Sequence, residues 1–130
     1  AVSIYVPYAA DGMSASIKRA CAAVSETSAK GMMILTGDLP DLTEVHFAQI
    51  CTQWAKDQTR YVQAKDRDGK PGHPVIIPKS GWDDIETLQG DIGLRNILRE
   101  KRIEYVSFKD YGPTLDLDTP EAWDAWRAAR

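Results

Sequence analysis

Residues 31–40 read GMMILTGDLP, an unbroken apolar run that closes on Gly37, Asp38 and a proline. A run of this kind suits a parallel strand covered on both faces. Strands of that class present functional groups at their carboxyl ends. Upstream, SIYVPY is short, β-branched and aromatic and predicts another strand, followed by a loop at Asp11 and Gly12. Ser14 is placed to cap the next helix, where Ile17, Cys21 and Val24 recur on one face. Downstream, Thr43 caps a helix with an apolar stripe of Phe47, Ile50, Cys51 and Trp54.

RYVQA and HPVIIP predict two strands joined by the polar, Gly-bearing segment KDRDGKPG, a hairpin that adds one antiparallel strand. Leu94, Ile97 and Leu98 mark a helix opened by Asp91 and closed by Arg99, Lys101 and Arg102, and EYVSF follows as a strand. The chain then runs through LDLD to Thr119, Pro120 and Glu121, the cap, first position and first turn of a helix bearing Trp123 and Trp126. Strands alternating with helices predict an α/β fold: three α/β/α layers on a mixed, mostly parallel sheet. Residues 1–130 are read as one domain.

The composition narrows the function. With 43% hydrophobic and 27% charged residues the 130-residue chain falls among ordinary globular domains. A net charge of -3 and a pI near 5.3 leave no basic footprint for nucleic acid. No apolar stretch approaches the roughly 20 residues needed to cross a bilayer, and the opening residues lack the charged region of a signal peptide. The expected location is cytoplasmic. Cys21 and Cys51 sit in apolar helical patterns and are expected to be buried free thiols. No Ser or Cys nucleophile with a partner base stands out, so a hydrolase triad fits poorly.

Five places can carry chemistry. Asp38 is delivered by a buried strand into a loop held by Pro40, either as a ligand for Mg²⁺ or as a loop acid. In LDLDTPE, Asp116 and Asp118 alternate along an extended segment, and only one of them is expected to face the crevice; the bland alternative is an ordinary helix start. Gly12, Ser14 and Ser16 form a small-residue helix entry that can meet a phosphate or a base edge, or simply cap. Arg95, beside Gly93, either contacts an anionic ligand or belongs to a helix start. Gly72, His73 and Pro74 open a strand beside a flexible loop, and His46 reads as a solvated surface residue.

Taken in order, GMSAS, LTGDLP, GHPVII, GDIGLR and DLDTPE resemble motifs of the molybdenum-cofactor (molybdopterin) nucleotidyltransferase family, especially its cytidylyltransferase branch. The resemblance implies a nucleotide-diphospho-sugar transferase-like fold, with Asp38 and Asp118 as catalytic Mg²⁺ ligands. It places Ser16 near the base, and Gly72, His73 and Pro74 on the acceptor side. The implied reaction is attack by a phosphate, typically that of molybdopterin, on the α-phosphorus of CTP or GTP, releasing pyrophosphate. The family opens with a strand and a loop like Leu-Ala-Ala-Gly-x-Ser-x-Arg-Met-Gly followed by lysine, which cradles the triphosphate, and this sequence shows no equivalent. The fold is therefore expected to be N-terminally incomplete, the C-terminal two-thirds of the family domain. The isolated chain is then expected to be inactive, with open strand edges that pair with a missing N-terminal segment or a second chain. A non-catalytic remnant that binds a pterin or a protein partner is the alternative.

Overall fold

The backbone alternates helix and strand, as the hydrophobic periods require, in a computed structural model that describes residues 2–7, 10, 12–90 and 93–130. In chain order the elements are α1 (Met13–Ser25), β1 (Gly31–Ile34), α2 (Glu44–Lys56), β2 (Tyr61–Lys65), β3 (Pro71–Pro78), a 3₁₀ turn (Lys79–Gly81), α3 (Trp82–Ile85), α4 (Arg95–Arg99), β4 (Ile103–Ser107) and α5 (Pro120–Ala128). The strands form one sheet in the order β1-β3-β2-β4. β3 is antiparallel to both β1 and β2, and β2 is parallel to β4. Three strands thus run one way and the hairpin's return strand runs against them, so the sheet is mixed as expected, although the central place of β3 makes two of its three pairings antiparallel.

Alternation along the strands sends successive side chains to opposite faces, and two core clusters result. Met32, Tyr61, Val75 and Ile77 pack with Ile17 and Cys21 of α1, Trp82 and Ile85 of α3, and Ile97 and Leu98 of α4. Val62, Ala64 and Ile76 pack on the other face with Ile50 of α2 and with Phe108, and Met33, Trp54 and Val106 adjoin them. Both faces are covered. Ile50, Ile77 and Ile85 are fully enclosed. Each such aliphatic side chain contributes about 1.5–3 kcal/mol through the water it leaves.

Several local expectations are corrected. Residues 2–6 form no ladder; a strand needs a neighbour to satisfy its backbone, and Val2 and Tyr5 are 88% and 82% exposed. β1 lies at an edge of the sheet, and its Gly31, Met33 and Ile34 are only half-buried, so the run is not enclosed on both faces. Gly12, at φ 96°, is the N-cap of α1 in place of Ser14, which lies one residue inside the helix, buried. Cys51 is exposed while Cys21 is buried, because the stripe of α2 is narrower than its apolar residues suggest. The turn and α3 after β3 were not anticipated, although Trp82, Ile85 and Leu88 recur at threefold spacing. Asp91, the expected opener of α4, lies outside the described residues. Thr119 does cap α5, accepting from the Ala122 N–H at 3.1 Å with Pro120 at the first helical position.

Candidate metal centre

β1 and β4 point the same way, so the segments that follow them emerge at one end of the sheet, where the β2–β3 hairpin also turns. β1 and β4 are the two outer strands, roughly 14 Å apart at three strand spacings. The chain after β4 must therefore cross the hairpin to reach the loop after β1. It does so in contact. The Phe108 N–H donates to Lys65 O, Arg67 N–H to Asp110 O and His73 N–H to Pro113 O, each at 2.9 Å, and Leu117 N–H donates to Asp38 O at 3.0 Å. α5 then secures both loops: Trp123 Nε1 donates to Leu117 O at 3.0 Å and Trp126 Nε1 to Asp41 Oδ1 at 2.9 Å.

The crossing brings three carboxylates together. One oxygen from each of Asp38, Asp116 and Asp118 lies within 4.8 Å of the others, with Asp38 half-buried and the other two exposed. Convergence of Asp38 with Asp118 is the arrangement anticipated, and Asp116 joins them. The expectation that only one of the latter two faces the crevice is corrected by elementary strand geometry: residues two apart in an extended segment share a side. Leu117, between them, takes the other side and is buried. The LDLD alternation was itself the signal for the missed residue.

Asp38 Oδ1 is buried with no hydrogen-bond partner. A buried carboxylate oxygen without a donor is costly, and a cation among the three carboxylates would satisfy it. All-oxygen, hard, anionic donors suit Mg²⁺, Mn²⁺ or Ca²⁺ rather than a thiolate- or imidazole-seeking metal.

The other candidate residues divide into two groups. Gly72, His73 and Pro74 lie at the start of β3, at the same sheet end as Asp38, within the strand rather than beside it. A Cβ on Gly72 would overlap Pro113 O, so the crossing segment sits directly on this glycine. Burial pushes the His73 imidazole below its ordinary pKa of 6.5, against the opposing charge of Asp38. The folded chain therefore takes up this proton later than the unfolded chain as pH falls. Stability accordingly declines as pH drops below about 6.5, and in metal-free buffer His73→Gln flattens that decline in urea unfolding midpoints. Equal slopes for the two proteins would refute this.

The second group lies along helices. Gly12 and Ser14 are at the start of α1, the Ser14 N–H donates to Gly90 O at 3.1 Å, and Ser16 is exposed. Ser14 and Gly90 line a cavity of about 720 Å³ with Val6, Lys18, Arg19 and Leu88. Arg95 begins α4 and is exposed. These four residues sit at the starts of α1 and α4, not on the segments after β1 and β4 that carry the carboxylates.

His46 departs furthest from expectation. It is 5% exposed rather than solvated. Its Nδ1 accepts from the Thr43 N–H at 3.1 Å, completing a capping box for α2, which leaves Nε2 to donate to Asp110 Oδ1 at 2.9 Å. Burial raises the Asp110 carboxyl, but the hydrogen bonds from His46 and the Gly112 N–H outweigh it and hold the group below its ordinary range. The partner is 64 residues away, beyond the reach of any helical pattern.

The family model of the MobA-like NTP transferase domain matches residues 2–106. The chain belongs to the MobA-like NTP transferase domain family. The matched stretch includes Asp38 and ends before Asp116 and Asp118. No curated protein matches the chain. Among solved structures it is similar in fold to Rv0371c from Mycobacterium tuberculosis H37Rv (TM-score 0.74, 23% identity, 87% of this chain and 58% of that one). It is similar also to the homologue from Mycobacterium sp. strain JC1 (0.70, 20%, 86% and 57%). A third neighbour is Rv0371c in complex with manganese (0.69, 19%, 86% and 61%). The chain thus spans about three-fifths of the length of these structures. No helix among the described residues is long and apolar enough to cross a membrane.

Proposed function

We propose that this MobA-like domain serves nucleotidyl transfer: CMP or GMP passes from CTP or GTP to a phosphate acceptor such as molybdopterin, and pyrophosphate leaves. Convergence of Asp38, Asp116 and Asp118 at the mouth of the sheet carries the reading. Asp38 and Asp118 would hold a divalent cation, Mg²⁺ in the cell, with Asp116 beside them; the manganese found in the Rv0371c complex supports an ion of this size and hardness. When bound, the cation supplies charge neutralisation for the phosphates of the nucleotide.

The chain's own residues supply position. A carboxylate pair on two loops joined by the Leu117 N–H to Asp38 O bond fixes where phosphate oxygens can approach. Half-burial of Asp38 limits water at the reacting face. Gly72 and His73, at the same end of the sheet, are assigned to the acceptor side, where an imidazole held below its ordinary pKa by burial would add a polar group. Gly12, Ser14, Ser16 and Arg95 are assigned to the nucleotide.

The test is Mg²⁺-dependent binding of CTP and of GTP to the purified chain, which does not require turnover. Asp118→Asn is expected to weaken that binding about tenfold or more while leaving the fold intact. Mg²⁺-dependent nucleotide affinity in that variant within threefold of the unaltered protein would refute the assignment.

A further inference from the structure

Residues 108–119 contain no strand or helix, so no ladder holds the segment that carries Asp116 and Asp118. Two buried side chains grip it from outside. On the side of α2, His46 Nε2 donates to Asp110 Oδ1, which also accepts the Gly112 N–H at 2.9 Å. The His46 ring packs against Phe108 with centroids 4.6 Å apart. On the side of the hairpin, Asp66 is 4% exposed and spends one carboxylate oxygen on the N–H groups of Asp68 and Lys70, at 2.9 Å each. Its other oxygen accepts the Thr114 hydroxyl at 2.6 Å.

Between the two grips the turn closes on itself, with the N–H groups of Thr114 and Leu115 donating to Tyr111 O at 2.9 and 2.8 Å. Asp116 follows Thr114 by two residues, and its N–H donates to Thr114 O at 3.0 Å. A shift of the Thr114 hydroxyl therefore passes directly to the first of the two exposed carboxylates. Neither grip touches the cluster itself.

We propose that His46 and Asp66 are positioning residues for the cation site. Through Asp110 and Thr114 they set the spacing of Asp116 and Asp118 from Asp38, and so the size of ion that fits. The inference rests on reading the three carboxylates as a cation site. Mg²⁺ demands near-ideal octahedral geometry at about 2.0–2.1 Å, whereas Ca²⁺ tolerates looser arrangements at 2.3–2.6 Å. A held spacing favours the smaller ion. A loosened one loses Mg²⁺ before Ca²⁺.

The experiment titrates the protein with Mn²⁺, then displaces it with Mg²⁺ or Ca²⁺, following the Mn²⁺ electron paramagnetic resonance signal. Thr114→Val keeps the shape and removes the hydroxyl; Asp110→Ala removes the grip of His46 while sparing its cap on α2. Each is expected to weaken Mg²⁺ about tenfold or more, the usual range for outer-shell partners, and Ca²⁺ by less than threefold. Thr114→Ser is expected to restore the Mg²⁺ preference. Equal weakening of both ions, or none, in Thr114→Val and Asp110→Ala overturns the positioning role. Asp38→Asn serves as the reference: undiminished Mn²⁺ binding in that variant overturns the cation site, and the positioning role with it.

Discussion

Asp38→Asn abolishes most of the thermal stabilisation that Mn²⁺ gives the protein. At a hundredfold excess over Kd a bound ion adds about 2.7 kcal/mol, which for a chain of this length corresponds to about 10 °C in Tm. Loss of the half-buried ligand raises Kd by about a hundredfold, and the same Mn²⁺ concentration then adds only about 0.4 kcal/mol. Without metal the sign reverses. Asparagine removes one of three mutually repelling carboxylates and gives the buried position an amide, so the metal-free variant melts at or above the temperature of the unaltered protein. Differential scanning calorimetry with chelator and with Mn²⁺ reads both effects. A variant that Mn²⁺ still raises by 10 °C would show that Asp38 is no ligand.

Gly72→Ala has the next largest effect, and it acts without touching the carboxylates. The new Cβ overlaps Pro113 O and comes within 2.8 Å of Thr114 Cγ2. Backbone lies on both sides of the clash: β3 is held in the sheet, and its Gly72 O accepts from Gln63 Nε2 at 3.1 Å. The crossing segment must give way. It loses the His73 N–H to Pro113 O bond, and with the overpacking this costs about 2–4 kcal/mol. Because Asp116 lies three residues beyond Pro113, the variant also binds Mn²⁺ at least tenfold more weakly. Urea unfolding followed by Mn²⁺ titration of the still-folded fraction measures the two losses separately. Unfolding midpoints that agree to within the equivalent of about 0.5 kcal/mol, the range of an inert surface substitution, would contradict the contact.

What the sequence showed and what it hid follow from the range of the forces involved. The hairpin and the Thr119-Pro120 helix start are local patterns found where the sequence puts them, whereas β1 stops at Ile34 and Asp38 lies in the turn beyond it rather than at the strand's end. The pairing of Asp38 with Asp118 was legible through the order of the motifs that resemble the family, since Asp118 lies eleven residues beyond β4 and no strand end places it. SIYVPY has strand propensity, yet propensity makes no strand where no neighbour pairs with it. His46 looked solvated because its position on α2 says nothing of the turn that covers it, which arrives from Asp110. Asp116 was within reach of sequence reasoning all along, since LDLD puts both acids on the side opposite Leu117.

Diffraction at the manganese absorption edge, from crystals grown with MnCl₂, tests the centre most directly. One anomalous peak bonded to carboxylate oxygens of Asp38 and Asp118, with Asp116 adjoining, is the result predicted. An anomalous map with no peak between those side chains, or with the ion held elsewhere on the molecule, would contradict it.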